Sequence, residues 1–232
     1  MFDSAGVHLK TLTQVSSQPD FGTVADSLPS GTYTFIFISS ERELTFENDH
    51  FGLSSSGARV LGNSTPWGDL FYKKITLAVN HTNITQDVRL NRIMSGLDVR
   101  LTDPIPSNVA TIELLLFNDA DYLEVLAGKG ELPVKITTKS FAITPAQIGS
   151  TNNLFRMNVF FTENPVSIVI KAYDADNALI SEKKVDNVYF YPNKRTTLAG
   201  ALFPNPTGPG GAGVFTVKLN PSWGTPLPVI NF

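Results

Sequence analysis

Three observations predict an all-β fold of two tandem antiparallel β-sandwiches. Apolar residues recur at every second position along most of the chain, whereas the 3.6-residue period of a helix is scarce. Glycine (17) and proline (15) are frequent among 232 residues and cluster between the alternating stretches, where turns are needed. Phenylalanine supplies 16 positions while charged side chains make up only 17%, which suits large packed sheet faces. The connections fit hairpins and Greek keys better than crossover helices, so a single parallel-sheet domain is excluded. The division is expected near residues 129–133, giving units 1–130 and 131–232, with a boundary near Gln86 as the alternative.

The elements follow in order. Residues 6–14 alternate Val7 and Leu9 with His8, Lys10 and Leu12 and read as a first, outer strand. Residues 31–40 put Tyr33, Phe35 and Phe37 on one face and Thr34, Ile36 and Ile38 on the other, which reads as a central strand buried on both sides. Residues 74–80 alternate Ile75, Leu77 and Val79 with Thr76 and Ala78. Between 88 and 101 the apolar phase moves from even to odd positions, so a bulge is expected near Asn91 or Arg92. Only residues 119–128 look helical, with Asp119 as N-cap, Tyr122, Leu123 and Leu126 on one stripe and Gly128 as the stop. A further helical turn is placed at 144–148. Residues 155–161, 166–173 and 214–219 read as half-buried strands, and Asp174 to Asn177 as a hairpin turn between two of them. The chain closes on a second apolar stretch with Val229, Ile230 and Phe232.

Several function classes are excluded by composition. Eighteen basic against twenty-one acidic side chains, a net charge of −3, leave no basic face for nucleic acid or for an anionic membrane. With no cysteine, thiol nucleophiles, thiolate zinc sites and disulfides are all ruled out, and His8, His50 and His81 have no metal-binding spacing. The Asp174–Asp176 carboxylates lack the glycine and the closing glutamate of a calcium loop, and the glycine-rich residues 208–213 lack the lysine of a phosphate loop. No Gly-x-Ser-x-Gly nucleophile motif occurs. The expectation is a protein that is not an enzyme and carries no cofactor and no metal.

What remains is recognition. Trp67 and Trp223, each within a proline- and glycine-containing loop, are candidate ligand contacts for sugar stacking, although such residues more often plug the end of a sandwich. The chain ends carry candidates of another kind. Val7, Leu9 and Leu12, or Val229, Ile230 and Phe232, are candidates for strand exchange, because a sheet short of one strand leaves peptide groups that another chain can satisfy.

Three segments carry a family resemblance. Residues 88–103, with Arg92 and the run Leu97-Asp-Val-Arg-Leu101, are one; residues 185–203, with Asn193-Lys-Arg-Thr-Thr197, are the second; residues 215–224, ending in Trp223-Gly224, are the third. Together with Asp69 to Lys73 they resemble, in order, the fimbrillin-like proteins of Bacteroidales. The resemblance implies a pair of transthyretin-like sandwiches forming a type V fimbrial subunit or a related surface adhesin, exported as a lipoprotein to the outer-membrane surface. It implies other fimbrial subunits as partners, with a host or bacterial surface glycan or protein as a receptor. The lipid anchor would lie outside these residues. A carbohydrate-binding surface module is the alternative. Stalk members lose a first strand by cleavage at an early arginine. Here the first arginine is Arg42, beyond the 31–40 strand, so the resemblance implies a chain already processed or an anchor, tip or accessory subunit.

Overall fold

The computed structural model describes residues 1–41, 44–47, 59–61, 67–160, 163–203 and 215–220. Among them lie thirteen strands and no helix: β1 (Gly31–Ser40), β2 (Thr45–Glu47), β3 (Arg59–Leu61), β4 (Leu70–Val79), β5 (Asn91–Arg92), β6 (Met94–Leu101), β7 (Thr111–Glu124), β8 (Lys129–Ala142), β9 (Asn153–Phe160), β10 (Val166–Tyr173), β11 (Leu179–Val188), β12 (Arg195–Gly200) and β13 (Thr216–Asn220). Three sheets result, ordered β1-β4-β5, β11-β10-β7-β3-β2 with β8 also on β7, and β13-β12-β6-β9. Their pairings are antiparallel except that of β12 with β6, which is parallel.

The second and third sheets face each other as a sandwich. Alternate residues of β7 (Ile112, Leu114, Leu116) and β10 (Ile168, Ile170) meet Leu97, Val99 and Leu101 of β6 and Phe155, Met157 and Val159 of β9 in the larger core. Side-chain period and strand period coincide, so each strand delivers one apolar face to this layer. A smaller core joins the first sheet to the far half of β7, through Leu70, Trp67, Phe2, Leu123, Val125 and Phe160. The hairpin of β7 and β8 pairs from Thr111↔Ala142 to Glu124↔Lys129, with an irregularity around Asp119. Its strand β7 therefore contributes to both cores.

The helix expected over 119–128 is instead the end of β7 and its turn into β8. The register of that pair shifts around Asp119, and Asn118 takes the left-handed conformation (φ 63°), which marks a bulge. The irregularity is compensated on β8, so Phe117↔Ile136 and Ala120↔Pro133 share one register, and the buried residues across it, Leu116, Asp119, Ala120 and Leu123, fall at helix-like spacing. Asp119 does not cap a helix: its buried carboxylate accepts the Thr137 hydroxyl (2.6 Å) and the Ala120 N–H (2.9 Å). Gly128 does stop the segment, as the left-handed residue (φ 69°) of the hairpin turn, where a Cβ would lie 2.5 Å from the Tyr72 ring.

Two further expectations are modified. The phase change near Asn91 is a change of sheet: β5 pairs with β4, and after Ile93 the chain enters β6 in the third sheet. The strand at Gly31–Ser40 has the expected limits, but among the described residues its one partner strand is β4, which makes it an edge strand there, and its residues from Thr34 onward are half-buried. The hairpin turn at Asp174 forms as expected, with the Asp174 carboxylate accepting the N–H groups of Asp176 (2.9 Å) and Ala178 (2.8 Å).

Candidate functional site

Among the described residues, β1 leaves hydrogen-bonding capacity next to apolar surface beyond Thr34. In an antiparallel strand, alternate residues direct both peptide groups to the same side. Thr34 directs its pair away from β4, donating to Phe2 O (2.9 Å) and accepting from Phe2 N–H (2.8 Å). Ile36 and Ile38, two and four residues on, direct theirs the same way, and no strand pairs with them among the described residues. The sequence of β1, GTYTFIFISS, places no charge on this edge.

A groove of about 160 Å³ runs beside it, lined by Phe35, Ile36, Phe37, Ile38, Val125 and Leu12 among others. That is below the roughly 300–1,000 Å³ of small-molecule sites and suits a few side chains. Ile36 and Ile38 pack toward the smaller core with Leu126. On the opposite face Phe35 and Phe37 stack (6.4 Å, 9° between planes), and Phe37 packs on the cluster of Phe71, Val88 and Leu90.

The outer wall is the N-terminal strap. The Asp3 carboxylate accepts the N–H groups of Ala5 (2.9 Å) and Val7 (2.8 Å), folding the chain back so that Leu9 N–H reaches Met1 O (2.9 Å). Phe2 is thereby buried, bridged to Thr34 on one side and His8 on the other, with its ring edge-on to the imidazole at 5.5 Å. Burial holds the His8 pKa below its ordinary value, helped by the nearby α-amino charge. Lys10 reaches Asp26 (3.1 Å) at the groove mouth, and this hydrogen bond keeps the Asp26 carboxyl below the usual range. Val7, Leu9 and Leu12, expected to form a strand, lie in this strap at 53%, 46% and 54% exposure, and only Leu12 of the three lines the groove.

The ligand-contact candidates fall elsewhere. Trp67 is 6% exposed: its ring meets Phe160 edge-on at 4.9 Å and its indole N–H donates to Ala120 O (3.3 Å), so it is a core residue joining β7 to the first sheet. Trp223, Val229, Ile230 and Phe232 lie outside the described residues.

The segments that carried the resemblance meet in a clamp that sequence reading did not foresee. Arg92, at the point where the chain changes sheets, grips Asp69 with Nε and Nη2 (2.9 Å each) and reaches Asn193 Oδ1 (3.3 Å), with its guanidinium 4.8 Å from the Phe71 ring. Asn193 is left-handed (φ 56°), and its N–H donates to Met94 O (2.9 Å). One planar fork thus ties the first sheet to the turn before β12. A second charge cluster, Asp98 with Arg195 and Arg156, spans the third sheet. Among the described residues no group of His, Cys, Asp and Glu could hold a metal ion.

An edge strand, two cores and three sheets define the class, an all-β sandwich protein, and the comparisons narrow it. The chain matches the family of fimbrillin-A associated anchor proteins Mfa1 and Mfa2 over residues 1–226 and belongs to it. No curated protein sequence matches. Three solved structures share the fold. A candidate adhesin of Bacteroides thetaiotaomicron is 12% identical with a TM-score of 0.57, covering 95% of this chain and 86% of that one. A candidate cell adhesion protein of Bacteroides ovatus is 9% identical with a TM-score of 0.50, covering 93% and 76%. A candidate adhesin of the same species is 14% identical with a TM-score of 0.50, covering 68% and 66%.

Proposed function

We propose that this chain is a fimbria-associated subunit at the outer-membrane surface, lipid-anchored beyond the residues given, and that it joins neighbouring subunits by accepting a β-strand along β1 at Ile36 and Ile38. One observation carries the reading: among the described residues no strand pairs with Ile36 and Ile38, which lie beside a largely apolar groove in a strand without a charge. Strand addition uses main-chain hydrogen bonds for affinity and side-chain pockets for register, so it needs neither a cofactor nor a reactive side chain. The strap with Val7, Leu9 and Leu12 borders the acceptor. The terminal Val229, Ile230 and Phe232 are the matching donor, offered to the next subunit. Membership of the anchor family and the fold shared with adhesin structures support this reading.

A photoreactive residue at position 38, carried on cells that assemble fimbriae, should trap the terminal strand of a neighbouring subunit. The same residue at position 183, in edge strand β11, should trap none. Equal trapping at both positions, or none at 38, contradicts the proposal.

A glycan-binding reading has one observation in its favour. Tyr189 and Tyr191 are 49% and 45% exposed at alternate positions, with their carbonyls held by the Thr196 (2.9 Å) and Ser95 (2.7 Å) hydroxyls. Loss of glycan binding in Tyr191→Ala, with fimbrial assembly intact, would support it.

A further inference from the structure

We infer that the outer face of the third sheet is a binding surface for an acidic polysaccharide, an extended chain carrying carboxylate or sulfate groups. The inference rests on neither reading above.

Leu97, Val99 and Leu101 of β6, Phe155, Met157 and Val159 of β9 and Leu198 of β12 fill the larger core. Alternation therefore turns Asp98, Arg100, Arg156, Asn158, Arg195 and Thr197 outward. Lys218 of β13 stands opposite Thr197 and shares its face. Pairing aligns Lys218, Thr197, Asp98 and Arg156 in one row across four strands. At the usual strand spacing that row is about 14 Å long. Arg100 lies on one side of the row, two residues along β6, and Arg195 lies on the other, opposite Gly96. At Met94 and Phe160 the same face passes under the smaller core, which bounds the surface.

Among the described residues, four cations on this face meet a single carboxylate. Asp98 is buried and already gripped by Arg195, whose Nε reaches both carboxylate oxygens (3.0 Å each). Gly96 makes room for that fork, since a Cβ there would lie 3.2 Å from the guanidinium carbon. Arg156 approaches Asp98 only to 3.4 Å and keeps 62% of its side-chain surface exposed. Arg100 and Lys218 are exposed and have no ion-pair partner among the described residues. The net charge of −3 conceals this surplus by summing regions of opposite sign, so the expectation that the chain has no basic face does not hold at this sheet.

The other side chains of the face select among polyanions. Asn158, Thr197 and Thr216 offer amide and hydroxyl groups, while Ala199 and the half-buried Leu154 supply little apolar area and no aromatic ring. A protein partner would need aromatic or apolar anchors, and a single-stranded nucleic acid would need rings on which its bases stack. A polysaccharide needs cations for its acid groups and hydrogen-bonding side chains for its hydroxyls, and both are present.

Five probes test this on the full chain: a galacturonate tetramer, a heparin-derived tetrasaccharide, neutral maltotetraose, an oligoglutamate peptide and an oligothymidylate. Affinity is read by calorimetry and location by the NMR shifts of the Arg100, Arg156 and Thr197 amides. At least one acidic tetrasaccharide should bind, move those amides and weaken as salt rises, and maltotetraose should not bind. The tighter of the two acidic probes tells carboxylate from sulfate. Arg100→Gln, Arg156→Gln and Lys218→Gln together should weaken binding at least about tenfold, the worth of one charge-assisted hydrogen bond. Arg89→Gln, Lys73→Gln and Lys183→Gln remove equal charge away from this sheet and should change affinity by less than about twofold, because distant charges are screened. If neither acidic tetrasaccharide moves those amides, or both triple variants lose affinity equally, the inference fails. If the peptide or the oligothymidylate binds more tightly than both acidic sugars, the assignment to a polysaccharide is overturned.

Discussion

Two sheet edges of this molecule are built on opposite principles. β11 ends the second sheet, and four of its ten residues are charged: Glu182, Lys183, Lys184 and Asp186. Lys171 pairs with Glu182 (3.3 Å) and Lys184 with Asp186 (2.9 Å), so ionic, well-hydrated groups line the strand. Such an edge repels a further strand, because pairing would strip water from charges that gain nothing in return. β1 ends the first sheet with no charge at all and with apolar side chains on both faces. The contrast teaches how one chain can treat its edges differently: charge guards β11, and under the strand-acceptor proposal the uncharged β1 is the edge that takes a partner.

The comparison breaks most violently where the first sheet is held to the rest. Trp67→Ala removes the indole between β7 and Phe160 and should destabilise by about 3–5 kcal/mol. Loss should concentrate in the first sheet, with amide protection in β6, β9 and β10 retained. Equal loss in both cores would show that the hairpin makes them one cooperative unit.

Next in size is the clamp. Arg92→Ala leaves Asp69 without its fork and should cost about 1–3 kcal/mol by urea denaturation, the range lowered because Asp69 keeps a quarter of its side-chain surface exposed. Arg92→Lys should recover only part of this, because an ammonium cannot make the planar fork. Full recovery by lysine would reduce the clamp to simple charge pairing.

Exchanging edge character comes third. Ile38→Lys should lower stability by about 1–2 kcal/mol and abolish strand uptake. Changing Glu182, Lys183 and Lys184 to Thr, Val and Thr should leave stability within about 0.5 kcal/mol and create a second sticky edge, seen as concentration-dependent association in sedimentation. A monomer that stays monomeric would show that charge is not what protects β11.

The smallest effect is pH-dependent and confined to the strap. His8 is held below its ordinary 6.5 by burial, so neutral His8 stabilises above that value and the contribution is lost as pH falls through the lowered folded pKa. Asp26 is held below 3.8 by Lys10, so its contribution is present above 3.8 and lost as pH falls through its own, lower, folded value. Acidification should loosen the strap in two steps, visible in the NMR signals of Phe2 and Leu9 while those of β6 stay fixed. A strap that loosens as pH rises would contradict the assigned causes.

Much of the fold was legible because side-chain period and burial coincide. Val166–Tyr173 and Gly31–Ser40 have the strand limits read from alternation, and the Asp174 turn follows from its carboxylate geometry. What escaped is non-local. Alternation in β1 reports apolar faces, but whether a strand has one neighbour or two depends on residues far away in sequence. The irregularity around Asn118 disguised a strand as a helix, since it buries Leu116, Asp119, Ala120 and Leu123 at the spacing of a 3.6-residue period. Trp67 read as a loop aromatic because its partner Phe160 is 93 positions away. The Arg92 clamp was visible only as a succession of family-like segments, and its fork with Asp69 required coordinates.

The most direct measurement is amide hydrogen exchange at Ile36 and Ile38, in the isolated chain and in the chain incorporated into fimbriae. Both amides should exchange much faster than that of Thr34, which Phe2 already holds, and both should become protected on assembly. Protection in the isolated chain equal to that of Thr34, or exchange unchanged by assembly, would contradict the assignment of β1 as the acceptor.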